Sequence, residues 1–184
     1  FARVQNVIAG SNILALQAAA EKAREHGFAP LILSSSITGN TADAARLHVA
    51  IAREALNSGN PVQPPCCIIS GGETTLCVTG TGKGGRNQEF VLCCAREIAD
   101  WDHSDVLFAS LGSDGNDGPT EAAGAVASPH TARRAKSKGL SIQDYLERND
   151  SYHFFEQLDD LIITGPTQTN VMDLRFVLIG EPAE

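Results

Sequence analysis

The 184 residues carry a formal net charge of −8, with 42% hydrophobic and 20% charged residues, enough chain to bury a full core as one large domain or as parts of two. The acidic balance argues against nucleic acid or an anionic membrane surface as partner, so an anionic ligand needs a local cluster of positive charge. No stretch approaches the roughly 20 apolar residues that span a bilayer. The five cysteines, Cys66-Cys67, Cys77 and Cys93-Cys94, have neither a disulfide-framework nor a zinc spacing. They read as small core residues of a reducing compartment, cytoplasmic or mitochondrial.

In chain order, Val4 to Ile8 predicts a strand, and Ile13, Leu14, Leu16, Ala19, Ala20 and Ala23 predict a helix ending near His26-Gly27. The chain starts at Phe1 rather than Met and reads as the later part of a longer protein, with any targeting signal upstream. A short strand at 31–33 and a polar loop lead to a second helix, from Thr41 as N-cap to Ser58-Gly59. Such alternation argues for a parallel α/β layer. Three prolines within 60–65 predict a boundary between a domain ending at 65 and another over 66–184. Beyond it the pattern predicts strands at 66–70 and 74–79 joined by a Gly71-Gly72 hairpin, a helix at 87–100 and a strand at 105–111, hence a mixed sheet. A short strand at 122–127, helices near 130–138, 141–148 and 151–157, and strands at 161–163 and 176–179 complete the expected α/β fold.

The segment Gly71 to Gly85 holds six glycines in fifteen residues, with Lys83 inside it and Arg86 after it. Glycines let backbone N–H groups converge on an anion, and the helix predicted after Arg86 adds its positive end. A P-loop is excluded, because Cys77 stands where it needs glycine and Gly84 where it needs Ser or Thr. Gly80, Gly82 and Gly85 meet the dinucleotide pattern G-x-G-x-x-G, a weak signal without a buried strand before it and a well-placed acid after it. Asp114 and Asp117, on a loop leaving a strand, suit a magnesium ion bridging nucleotide phosphates, or plain Asx turns. A third polar loop, Thr164 to Asn170, offers Thr167 to a phosphate or to another loop. Glu73 and Glu89 flank the glycine segment, one as a candidate general base, with ion pairs to Lys83 or Arg86 the favoured role. The five histidines show no hydrolase setting.

Four blocks occur in order: Gly71-Gly72-Glu73-Thr74-Thr75, Gly84-Gly85-Arg86-Asn87-Gln88-Glu89, Asp114-Gly115-Asn116-Asp117-Gly118-Pro119-Thr120 and Thr164-Gly165-Pro166-Thr167. Together they resemble the class II glycerate kinase family, whose members end in a MOFRL domain and include proteins also labelled hydroxypyruvate reductase. The resemblance covers nearly the whole chain: 66–184 is similar to the MOFRL domain and 1–65 to the end of the Rossmann-like domain before it. Gln168 departs from it, standing where relatives are expected to carry glycine.

The resemblance implies ATP-dependent phosphorylation of D-glycerate to 2-phosphoglycerate, with ATP and Mg2+ required, in a cleft between two domains; a homodimer is one assembly open to the protein. It implies catalytic roles for Arg86, Asp114 and Asp117, the two aspartates also holding metal. Substrate or nucleotide would touch Gly71, Gly72, Glu73, Thr74, Lys83, Gly84, Gly85, Asn87 and Thr167. The alternatives are an NAD(P)-dependent hydroxypyruvate reductase and a non-catalytic anion-sensing domain.

Overall fold

A computed structural model of the chain describes residues 5, 7–103 and 105–180. Val4 and Asn6 of the expected first strand lie outside these, while Val7 and Ile8 are exposed and in no strand. Helix α1 (Asn12–Glu25) leads to β1 (Ala29–Ile37), α2 (Thr41–Ser58), β2 (Cys66–Gly72), α3 (Arg86–Glu97), β3 (Val106–Gly112) and β4 (Gly124–Ala127). Three short helices follow, α4 (Pro129–Ser137), α5 (Ile142–Glu147) and α6 (Ser151–Leu158), then β5 (Leu161–Ile162) and β6 (Asp173–Ile179).

The six strands form one mixed sheet in the order β1-β2-β6-β3-β4-β5. Only β1 and β2 are parallel; every other neighbouring pair is antiparallel. Strand β2 is buried along its length, and its alternation sends Cys66 and Ile68 to one face and Cys67 and Ile69 to the other. Helices α2 to α6 cover the first face, where Phe90, Leu92, Phe108, Phe154, Val177 and Ile179 form the main core. On the second face α1 packs Leu16, Ala20 and Ala23 against Cys67 and Ile69.

Two local expectations give way. Residues 74–79 form no strand and no hairpin: Thr75 makes an isolated bridge to Asn40, and Val78 is 66% exposed. Both edges of β2 are already taken, by β1 and β6, so a hairpin partner has nowhere to pair. Gly72 is instead the place where β2 meets the end of β1; its φ of +110° and the adjacent Ile37 backbone leave no room for a side chain. The cap of α2 is Asn40 rather than Thr41: its Oδ1 accepts from the N–H groups of Ala42 (2.9 Å) and Asp43 (3.2 Å). Gln168 adopts the left-handed φ of 59° that glycine takes without penalty.

Strand β6 is longer than its apolar part announces. Asp173 and Arg175 share a face with Val177 and Ile179 and are buried with them, in a strand held on both sides.

Candidate active site

The segment after β2 does not cradle a ligand with its glycines. Asn149, itself in the left-handed region, accepts from Thr79 N–H and Gly80 N–H through Oδ1, both at 2.8 Å, and donates to Glu89. Gly82 N–H donates to the Arg148 carbonyl at 2.8 Å, and a Cβ at Gly80 would overlap that same carbonyl. Gly80 and Gly82 therefore serve close packing against the α5–α6 connection, and the dinucleotide reading of their spacing loses its footing.

At the end of this segment Gly85 opens α3, whose N-terminal N–H groups are the expected anion site. They are already occupied by a carboxylate of the protein. Asp117, buried, accepts from Asn87 N–H at 3.0 Å through Oδ1 and from Gln88 N–H at 2.9 Å through Oδ2, and the Asn87 and Gln88 side-chain amides donate to it as well. Burial pushes the Asp117 carboxyl pKa up, against the pull of these four hydrogen bonds. Asn87 donates to Asp173 and accepts from Ser110 at 2.5 Å, so it too is a buried connector rather than a ligand contact.

Arg86 is the first residue of α3. Its guanidinium is held side-on by Asp173, Nε to Oδ2 at 2.8 Å and Nη2 to Oδ1 at 2.9 Å, and its Nη1 lies 3.4 Å from the exposed Glu73. The hydrogen bond to Asp173 raises its pKa further, so it stays charged. Arg86 remains partly exposed and lines a cleft of about 360 Å³ with Glu73, Thr74, Gly84, Gly85, Gly118 and Pro119. Thr74 is buried in that wall, its hydroxyl meeting Thr41 Oγ1 at 3.1 Å and Arg175 Nη2 at 3.2 Å. Gly71 and Gly72 lie within β2, paired with Leu174 and Asp173 of β6, and do not line the cleft.

Other expected site residues go elsewhere. Lys83 leaves the cleft: its Nζ is 3.2 Å from Glu121 and 3.9 Å above the Tyr152 ring, and its backbone N–H donates to Asp150. Asp114 is partly exposed, accepting from Asn116 N–H at 3.1 Å and Asn170 Nδ2 at 3.3 Å. Thr167 ties the two polar loops together, donating from Oγ1 to the Ser113 carbonyl and from N–H to the Asp114 carbonyl. Asp114 and Asp117 thus face different partners, and with both Asp117 oxygens spent on α3 the two do not fit a magnesium ion as a pair.

Sequence reasoning missed Asp173 and Arg175; charges at period two inside a strand that ends in Phe-Val-Leu-Ile were the available signal. It also passed over a buried pair, His48 and Ser70. His48 Nδ1 donates to the Ala44 carbonyl at 2.7 Å, so its Nε2 accepts from the Ser70 hydroxyl, also at 2.7 Å. Burial pulls the His48 pKa down to about 4, and with both residues inaccessible the pair is a core contact and not a nucleophile. Cys77, expected in the core, is exposed, whereas the other four cysteines are buried and free, burial pushing the thiol pKa values of Cys66 and Cys93 up to about 11.

A mixed sheet with helices on both faces, with an arginine clamped at a helix start beside a cleft, defines an α/β domain. Its family follows from direct comparison: the MOFRL family model matches residues 66–173, and the chain belongs to that family. A glycerate 2-kinase of Pyrococcus horikoshii is 34% identical over 177 residues, covering 96% of this chain and 40% of the relative. A provisionally named hydroxypyruvate reductase of Agrobacterium vitis is 41% identical over 170 residues, covering 91% and 43%. The crystal structure of glycerate kinase from Thermotoga maritima superposes with a TM-score of 0.89 at 38% identity, covering 92% of this chain and 41% of that one. The chain therefore spans about two fifths of the length of these relatives.

Proposed function

We propose that the chain is the later part of a glycerate kinase that transfers a phosphoryl group from ATP to D-glycerate, giving 2-phosphoglycerate, and that the Glu73–Pro119 cleft is one wall of its active site. Arg86 carries the reading: a charged guanidinium, locked to a buried carboxylate, with one edge turned to an open cleft. Phosphoryl transfer asks mainly for positioning and for charge stabilisation of spread anionic oxygens, and a pre-oriented guanidinium supplies both to a phosphoryl group or to the glycerate carboxylate. Glu73 is the accessible carboxylate that lines the cleft, and Asp114, partly exposed on the loop that also carries Gly118 and Pro119, is the one left for a glycerate hydroxyl or for magnesium arriving with ATP. Asp117 acts through α3 instead.

The division near 60–65 belongs to the same proposal. Residues before Cys66 would close a preceding domain, while β1 and α2 already extend the sheet and core of the one that follows. Four buried free cysteines suit a reducing compartment, cytoplasm or mitochondrion. The reductase reading has less support here, since its glycines are used up in packing.

The test is a coupled assay of the full-length protein with ATP, magnesium and D-glycerate, the product identified as the 2- or 3-phosphate. Formation of 2-phosphoglycerate is expected, with no heat on titration with NADH or NADPH. Hydroxypyruvate reduction without glycerate phosphorylation would overturn the proposal. The 184-residue chain alone is expected to be inactive, as it spans about two fifths of the length of its relatives and the opposite wall of the cleft would lie outside it.

A further inference from the structure

We propose that Asp173 and Arg175, a buried ion pair at the start of β6, are positioning residues that set the pose of Arg86 and Thr74, leaving the guanidinium a single edge, Nη1, for an anionic substrate group. The inference rests on the glycerate kinase reading of the cleft and goes beyond it, to residues that touch no substrate.

Asp173 has no exposed surface and Arg175 is 1% exposed. Four donors surround the carboxylate: Arg86 Nε and Nη2, Asn87 Nδ2 at 2.9 Å and Arg175 Nη2 at 3.1 Å. A side-on clamp removes most of the rotamer freedom of Arg86 and consumes two of its three nitrogens. Only the side facing Glu73 is left.

Folding stability alone is a weak reason for a buried pair of this kind. Desolvating two charges costs more than their attraction commonly returns, and an apolar pair of similar volume at such a site is often neutral or stabilising. Arg175 is also incompletely satisfied, its Nε and Nη1 being buried without a hydrogen-bond partner among the described residues, an arrangement that calls for a reason other than folding. That reason is in the connections it does make. Arg175 Nη2 reaches both Asp173 and the Thr74 hydroxyl, so one guanidinium joins the Glu73–Thr74 wall of the cleft to the Arg86 wall. The anchor is a strand hydrogen-bonded on both sides, and Asp173 is paired with Gly72 and with Gly112, the residues from which the two cleft loops depart. A site held from a central strand keeps the tolerance that positioning requires.

A kinetic double-mutant cycle in the full-length protein tests this, because a merely structural role and a role through Arg86 predict different couplings. Asp173→Asn alone is expected to lower kcat/KM for D-glycerate by about 10–100-fold, and in an Arg86→Ala background by less than about twofold. Equal losses in the two backgrounds would overturn the proposal. If Arg86→Ala itself changes nothing, it is the role given to Arg86 that fails. Should Asp173→Asn not fold, the double variant Asp173→Asn/Arg175→Met, which removes both buried charges, takes its place in the cycle with the same expectations. For Arg175, the Met variant is expected to lose several-fold in kcat/KM and the Lys variant to recover most of it; equal losses would remove Arg175 from the assignment.

Discussion

Lys83 and Arg86 stand three residues apart in one glycine-rich segment, and the fold sends them to opposite fates. Lys83 lies over Tyr152 beside the exposed Glu121, on a loop pinned to the α5–α6 connection. Arg86 begins a helix whose start is capped by Asp117 and whose guanidinium is held by a buried carboxylate 87 positions further on. Adjacency in sequence made them look like one cationic cluster. What separates them is the partner each meets across the fold, an exposed surface acid for one and a central strand for the other. Under the proposed function a cation serves the site when its geometry is over-determined, and of these two Arg86 is the one held that way.

Removing Arg86 should have the largest effect: Arg86→Ala is expected to lower kcat/KM of the full-length enzyme by about 100–1,000-fold, about 3–4 kcal/mol in transition-state stabilisation, measured in steady state with D-glycerate varied. Next comes the cap beneath it. Asp117→Ala strands two helix N–H groups and two buried amides, which should cost about 3 kcal/mol in urea unfolding; a loss under about 1 kcal/mol would mean that α3 finds another cap.

His48 gives a pH signature of slightly smaller size. Its folded pKa of about 4 lies below the value of 6.5 of an unfolded histidine, so between these the unfolded chain takes up a proton that the folded chain refuses. Stability from this group is fully present above pH 6.5 and is lost as pH falls toward 4, by about 2–3 kcal/mol. Asp117 and Glu89, with pKa values raised by burial, act in the opposite sense. Comparison with His48→Leu across pH 4–7 isolates the histidine, and a stability difference independent of pH would show that His48 is not held neutral. Lys83→Ala should matter least, changing stability by less than about 0.5 kcal/mol and kcat/KM by less than about threefold.

Local signals carried much of the fold. Helices α2 and α3 and strands β2 and β3 follow from periodicity and end signals within their own residues. The false strand at 74–79 had the right alternation, and what forbade it was the occupancy of both β2 edges, information held in β1 and β6. Asp173 and Arg175 stayed hidden for the converse reason: each is a poor strand residue alone, and their burial makes sense only once Arg86, Asn87 and Thr74 converge on them. Of the candidate site, Glu73, Thr74, Gly84, Gly85 and Arg86 do meet at one cleft. The helix start was expected to meet a ligand anion; its N–H groups are taken instead by the protein's own carboxylate, placed there by a turn about thirty residues away.

The most direct test is to measure kcat/KM for D-glycerate, at saturating ATP and magnesium, in full-length Arg86→Ala and Lys83→Ala side by side. The account predicts a loss of about 100-fold or more for Arg86→Ala and less than about threefold for Lys83→Ala. Comparable losses in both variants, or the larger loss at Lys83, would contradict it.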